Sequence, residues 1–151
     1  MQYGSSIIRN FLFIFSFFTL SKSLTLSDNS SAAIPELASQ INKIPGGYFP
    51  VENPETLNSF VVQSMVAAEK IDGSPKRHKL LKIRQAISQV VAGTNYKAVV
   101  TVGEVGPDGQ VDSDGQYGLC YFEMFLPLGE NPLEISDHKC VKINKNDALI
   151  S

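Results

Sequence analysis

The chain has 151 residues, of which 43% are hydrophobic, and this composition suits one globular domain with a modest core. Its formal charge at pH 7 is −2, and the only basic run is Lys-Arg-His-Lys at residues 76–79. Because phosphate binding needs concentrated positive charge, the composition argues against nucleic acid as a partner. We expect the basic run to be a solvated loop or the entry to a strand.

An apolar run at residues 11–20 follows Arg9 and is itself followed by Ser21 and Ser23, small residues at alternate positions. This pattern is typical of a secretory signal peptide, and we expect residues 1–23 to be removed by cleavage after Ser23. A membrane anchor is the alternative, but about ten apolar residues fall well short of the roughly 20 that a spanning helix needs. We therefore expect a secreted, extracellular protein with no membrane attachment after signal cleavage.

Residues 24–45 are predicted to form a flexible leader before a domain at 46–151. The first part of the leader is rich in Ser, Asp, Asn and Ala with scattered apolar residues. Asn29-Ser30-Ser31 is a sequon for N-glycosylation. An exposed site on a secreted chain suits occupancy, although a three-residue motif also arises by chance.

A helix is predicted to begin after Asn53, which can cap it, because Pro54 suits the first helical position and Glu55 favours the positive end. The helix is predicted to end near Ile71, where Asp-Gly-Ser-Pro follows at residues 72–75. Apolar residues recur between these limits at spacings of three and four, which predicts a core-facing stripe. The stripe consists of Leu57, Phe60, Val61, Met65 and Ala68.

Four strands are predicted after the helix, at residues 80–91, 95–105, 117–126 and 136–143. The first two are expected to pair as a hairpin with its turn at 91–94, where Gly93 suits a positive φ. Polar, turn-forming segments at 106–115 and 127–132 connect the remaining strands. One helix followed by four antiparallel strands predicts an α+β fold with the sheet wrapped on the helix.

Two cysteines, Cys120 and Cys140, are expected to form one disulfide in an oxidising compartment. Closing a loop of about 20 residues would stabilise the fold by roughly 3 kcal/mol. A metal site would need more Cys or His at short spacing, and neither His78 nor His138 has such neighbours. We predict no metal and no cofactor, and a catalytic thiol is the remaining alternative for the cysteines.

The predicted hairpin tip, Gln89-Val90-Val91-Ala92-Gly93, carries no charge and no catalytic group. An enzyme would place His, Asp, Ser or Cys there, and a nucleic-acid binder would place Arg or Lys. An uncharged tip avoids the desolvation cost of burying a charge, so it favours insertion into the cleft of another protein. Elsewhere no nucleophile, base and orienting group stand in a recognisable arrangement, so we predict no catalytic residues and no enzyme activity.

These residues resemble the cystatin superfamily, inhibitors of papain-like cysteine proteases such as the cathepsins. Residues 89–93 fit that family's Q-x-V-x-G hairpin motif at every fixed position. The order of features strengthens the likeness: a glycine about 43 residues upstream, a helix between, a proline-containing second hairpin, and a cysteine pair bracketing that hairpin. The likeness extends over residues 46–141. It implies a cystatin-like fold, with one N-terminal helix packed against a wrapped, four- to five-stranded antiparallel sheet.

The resemblance also implies a reversible, non-covalent protease inhibitor that binds through three segments. Gly46 or Gly47 would be the N-terminal trunk glycine, and the residues that follow favour Gly46. The first hairpin would contribute Gln89, Val90, Val91, Ala92 and Gly93, and the second Pro127 and Leu128. Cys120 and Cys140 resemble the C-terminal disulfide of the secreted, type 2 cystatins.

The chain departs from the family pattern at Leu128, where cystatins usually have tryptophan, and it contains no Trp at all. If leucine buries about 50–100 Å² less apolar area, the loss is roughly 1–2.5 kcal/mol. That corresponds to about ten- to seventyfold weaker binding. The usual second disulfide is also missing, so the loop at 106–115 must hold itself together.

An alternative from a different class is a secreted cystatin-fold binding or immunomodulatory protein with little protease inhibition, which Leu128 keeps open. Some secreted cystatins also inhibit legumain-type proteases through an asparagine-containing loop after the helix. Residues 69–75 contain no asparagine, so we expect no strong legumain inhibition.

Overall fold

The computed structural model describes residues 34–41, 44–129 and 131–150. The predicted signal peptide at 1–23, the sequon at Asn29 and the first part of the leader lie outside the described residues and stay predictions. No helix among the described residues is long and apolar enough to cross a membrane.

One long helix and a five-stranded antiparallel sheet form the fold, and the strands follow one another in chain order across the sheet. The predicted α+β architecture and all four predicted strands are confirmed, and a two-residue strand supplies the fifth. A short C-terminal helix was not predicted. The elements are β1 (Phe49–Pro50), α1 (Asn58–Asp72), β2 (His78–Val91), β3 (Gly93–Glu104), β4 (Tyr117–Pro127), β5 (Glu134–Ile143) and α2 (Lys145–Leu149).

The helix begins through a 3-10 turn at Pro54–Leu57 rather than directly after Asn53. The Asn53 side chain makes no capping hydrogen bond, so this part of the prediction was wrong. The Thr56 hydroxyl instead donates to the Asn53 carbonyl at 2.7 Å, which fixes the turn that leads into α1. The helix ends as expected, because Gly73 adopts the left-handed conformation with φ 63°.

The main core lies between α1 and the inner face of the sheet. The predicted helical stripe supplies its helix side, and alternate residues of β3 and β4 supply most of its sheet side, as the period of two in a strand requires. On β2 the two core residues, Ile83 and Ala86, are three positions apart, because the register shifts between Ile83 and Gln85. Phe60 is only partly buried and packs at its margin. The core residues are Leu57, Val61, Met65, Ala68, Ile83, Ala86, Ala98, Val100, Val102, Cys120, Phe122 and Met124.

A second, smaller core lies on the outer face of the sheet, where Leu37 is fully buried against Ile87, Val99 and Tyr121. Leu37 begins a 3-10 turn at Leu37–Gln40, within the segment predicted to be a flexible leader. Residues 34–41 therefore pack on the sheet, while the predicted domain boundary at residue 46 stays a prediction.

The burial of Tyr121 in this core raises the pKa of its hydroxyl, and the hydrogen bond that the hydroxyl donates to the Glu123 carboxylate raises the pKa further.

The loop at 106–115 holds itself together by local hydrogen bonds, as the missing second disulfide requires. Its backbone closes on itself through the Gly106 amide, which donates to the Gln110 carbonyl at 2.8 Å. Two aspartates close turns within it, because Asp108 and Asp112 each accept a bond from the amide two residues later at 2.9 Å.

The predicted disulfide is confirmed. Cys120 and Cys140 occupy directly opposed positions on β4 and β5, with their Cα atoms 4.1 Å apart. Both cysteines are thereby used, which leaves neither as a catalytic thiol.

Candidate functional site

In the first hairpin a single residue, Ala92, connects the two strands, because β2 ends at Val91 and β3 begins at Gly93. Val90 is 73% exposed and Val91 is 48% exposed, which is unusual for branched apolar residues in a sheet. Ala92 is exposed between the two strands. The tip therefore presents apolar surface and bare backbone to the solvent.

Gly93 is required by a close approach of the neighbouring strand. Its φ is 136°, and a Cβ at this position would lie 2.6 Å from the Leu126 carbonyl oxygen and 2.8 Å from the Phe125 ring. The predicted positive φ is confirmed, and the contact with β4 is an additional reason for glycine that the sequence did not reveal. Gly93 pairs with Pro127, so the two hairpin tips lie side by side.

The second hairpin follows Pro127, the last residue of β4. Leu128 is 72% exposed at its start, and Gly129 takes a positive φ of 87°. The Asn131 side chain donates to the Leu128 carbonyl at 3.2 Å, which holds the Leu128 backbone in the turn. The exposed leucine is thus next to the first tip.

The N-terminal trunk, residues 44–47, lies beside the first hairpin on the side away from the second hairpin. The Gly47 amide donates to the Ile44 carbonyl at 2.9 Å, and Gly46 has φ 78°, which together with Pro45 matches a type II turn. The Gln89 side chain donates to the Gly46 carbonyl at 2.7 Å. Gly46 is exposed whereas Gly47 is buried, so Gly46 is the glycine presented beside the tip.

Gln89 thus connects the trunk to the hairpin, and its own orientation is fixed by a further residue. Asn95 donates from its side-chain amide to the Gln89 side-chain oxygen at 3.2 Å. Sequence reasoning missed Asn95, because the contact depends on the pairing of Gln89 with Asn95 across β2 and β3.

The structure therefore brings the three predicted segments to one end of the sheet. We call this surface, formed by Gly46, Val90, Val91, Ala92 and Leu128, the apolar edge. Two further apolar residues lie beside the trunk and were also missed. They are Ile44, which is 63% exposed, and Phe49, which is 47% exposed and pairs with Ser88 next to Gln89.

Several ionic contacts lie at the opposite end of the sheet. His78 and Val91 are the two ends of β2, so they are separated by roughly 40 Å at about 3.3 Å per residue. At the His78 end, Lys76 Nζ lies 2.8 Å from Glu104, and this hydrogen bond is the main cause of the lowered pKa of Glu104. The His78 amide donates to Glu69 at 2.8 Å. The basic run at 76–79 is accordingly the entry to β2, as expected.

Across the described ranges, no group of three or more His, Cys, Asp or Glu side chains could hold a metal ion. The apolar edge offers shape and apolar contact rather than a nucleophile or a ligand set. Its chemistry therefore suits the occupation of a cleft.

No protein-family model and no curated protein matches the chain. Among solved structures, it is similar to Al-CPI at 20% identity, with a TM-score of 0.53 over 65% of this chain and 100% of that one. It is similar to dimeric human cystatin F at 18% identity, with a TM-score of 0.50 over 69% of this chain and 94% of that one. These two likenesses show that the chain has the cystatin fold. A salivary cystatin from the soft tick Ornithodoros moubata aligns at 22% identity and a TM-score of 0.49, over 64% of this chain and 98% of that one.

Proposed function

We propose that the protein is a secreted, reversible, non-covalent inhibitor of papain-like cysteine proteases of the cathepsin type. The observation that carries the proposal is the apolar edge, in which Gly46, the first hairpin tip and Leu128 lie side by side on a cystatin fold. In this proposal the apolar edge fills the active-site cleft of the protease and prevents substrate from entering.

The binding energy comes from apolar residues that are exposed in the free protein. Val90 and Leu128 are 73% and 72% exposed, and fully burying a side chain of this kind is favourable by about 1.5–3 kcal/mol. Because the tips are held by paired strands, they lose little conformational entropy when they dock. A charged tip would lose part of this energy to desolvation.

The first tip also resists cleavage by the enzyme that it blocks. A protease acts on an extended peptide placed across its catalytic thiolate, whereas Ala92 lies in a one-residue connection between Val91 and Gly93, which pair with each other. No peptide bond at the tip is presented in an extended pose. The complex is therefore non-covalent and the inhibitor is released intact.

Legumain-type proteases are not among the proposed targets. Residues 69–75, which form the end of α1 and the segment after it, contain no asparagine, and the Asp72 carboxylate is hydrogen-bonded to His138 at 3.0 Å. A tight, active-site-competitive complex with legumain would contradict this part of the proposal.

A charge placed on the apolar edge tests the proposal against a charge placed elsewhere. Val90→Asp introduces a carboxylate at the tip, and Ile71→Asp introduces one on α1, where Ile71 is 70% exposed. Burying an unpaired carboxylate is costly, so Val90→Asp should weaken the inhibition of papain by about a hundredfold or more. Ile71→Asp should change it less than twofold. Equal effects of the two variants would contradict the proposed role of the apolar edge.

One observation favours a second candidate, a secreted cystatin-fold binding or immunomodulatory protein with little protease inhibition. Leu128 provides less contact area than the tryptophan usual in cystatins, and this reduces the energy available for cleft binding. A folded protein with its disulfide intact that leaves papain and the cathepsins uninhibited would favour this second candidate.

A further inference from the structure

The outer face of the sheet carries a second feature, which we call the outer-face anchor and define as residues 34–41. Its central residue is Leu37, which is fully buried against Ile87, Val99 and Tyr121. A side chain buried in this way fixes the segment that carries it, because exposing it to water again would cost the energy of its apolar burial. In the chain, two residues separate the anchor from the trunk turn at residues 44–47.

A series of contacts leads from the anchor toward the trunk. Lys97 Nζ donates to the Gln40 side-chain oxygen at 2.8 Å, and the same ammonium lies 4.6 Å from the centre of the Tyr48 ring. Ile41 forms a backbone bridge with Tyr48. Tyr48, which follows the trunk glycines, is therefore attached to both the anchor and β3.

The contact that fixes Gly46 lies on the same face of the sheet. Alternate residues of a strand share a face, so Asn95 lies on the same side of β3 as Lys97 and Val99. Asn95 orients Gln89, and Gln89 binds the Gly46 carbonyl. The trunk is thus attached to the outer face of the sheet at two points, through Tyr48 and the anchor and through Gln89.

We propose that Leu37 is a positioning residue for protease inhibition, because it seats the outer-face anchor and thereby holds Gly46 beside the first hairpin tip. This inference rests on the proposed function. Without the anchor, the trunk would have to be ordered when the protease binds, and fixing the backbone of even one residue corresponds to roughly a five- to thirtyfold change in an equilibrium constant. Leu37 itself lies on the outer face and has no contact with the cleft in this arrangement.

Three variants of the full chain, purified as secreted protein, test the proposal. Leu37→Ala empties the anchor site, Leu37→Met refills it, and Leu57→Ala removes the same atoms from the helix-side core, where Leu57 is 3% exposed. We expect Leu37→Ala to inhibit papain about tenfold more weakly than the wild type. Leu37→Met and Leu57→Ala should stay within about threefold of the wild type. If Leu37→Ala does not fold, Leu37→Val replaces it with a smaller expected loss in the same direction.

Hydrogen exchange gives a readout that does not depend on inhibition. The Gly47 amide is bonded within the trunk turn, so its exchange should accelerate at least tenfold in Leu37→Ala and remain unchanged in Leu57→Ala. A folded Leu37→Ala protein with wild-type inhibition, or with unchanged exchange at Gly47, would overturn the positioning role. If the wild type itself does not inhibit, the proposed function fails and so does the role of Leu37 in inhibition, while faster exchange in Leu37→Ala would still establish that the anchor holds the trunk.

Discussion

Replacing Gly93 with alanine perturbs the point where the two hairpins meet. Gly93 is buried, its φ is 136°, and it pairs with Pro127 at the start of the second hairpin. The added methyl group would lie 2.6 Å from the Leu126 carbonyl oxygen, which belongs to the backbone of β4 and cannot rotate away. The substitution must therefore strain Gly93 itself and move the two strands apart.

The magnitude follows from these two effects. A non-glycine residue held at such a φ costs about 1–3 kcal/mol, and forcing an extra methyl into a packed position costs about 1–3 kcal/mol more. The more restricted unfolded chain of the alanine variant offsets about 0.4–1 kcal/mol. We therefore expect Gly93→Ala to lower the free energy of unfolding by about 1–5.5 kcal/mol, with a central value near 3 kcal/mol.

Urea unfolding of the wild type, Gly93→Ala and Gly109→Ala separates the two effects. Gly109 also has a positive φ, of 76°, but a Cβ there would meet nothing within 4 Å. Gly109→Ala should consequently cost only about 1 kcal/mol, from backbone strain alone. The difference between the variants measures the clash with β4.

Equal stability of the two alanine variants would refute the reasoning, because it would mean that the strands at Gly93 are not held in contact. The same result would remove the argument that the two tips form one surface. Weaker papain inhibition by Gly93→Ala is expected in addition, since strands forced apart at Gly93 also separate Leu128 from the first tip.

Three further outcomes are expected. Replacing both Cys120 and Cys140 with serine should lower the free energy of unfolding by roughly 3 kcal/mol, measured in urea, because a loop spanning about 20 residues is no longer closed in the unfolded chain; an unchanged midpoint would contradict this. Glu104→Gln should destabilise the protein at pH 7, since the bond from Lys76 lowers the pKa of Glu104 below its ordinary value near 4.5. The stabilising contribution of Glu104 is fully present above pH 4.5 and is lost as the pH falls through the lowered pKa. The free energies of unfolding of the wild type and of Glu104→Gln should therefore converge in strong acid. Leu128→Trp should tighten papain inhibition about ten- to seventyfold through roughly 50–100 Å² of added apolar contact, and unaltered inhibition would place Leu128 outside the interface.

The order of helix and strands was predictable because each element carries its own periodicity and its own turn residues. The stripe that includes Val61 and Met65 predicted the inner core, and the two cysteines in a chain with a signal-like start predicted the disulfide. Two errors of detail have local causes. The cap at Asn53 was wrong because a 3-10 turn intervenes, and β1 was missed because two residues carry no periodic pattern.

The candidate site was predictable only in part. The motif at residues 89–93 indicated an uncharged tip, and the structure shows its exposure. The bonds from Gln89 to Gly46 and from Asn95 to Gln89 depend on strand register and on the path of the leader, which no short pattern encodes. Leu37 was missed because one buried leucine in a polar segment gives no periodic signal.

The central claim is that the apolar edge occupies the cleft of a papain-like protease. The most direct test is a titration of papain, at several substrate concentrations, with the purified protein in its disulfide-bonded form. We predict competitive inhibition with a constant in the nanomolar range that reverses fully on dilution. Full papain activity in the presence of micromolar, folded protein would contradict the claim.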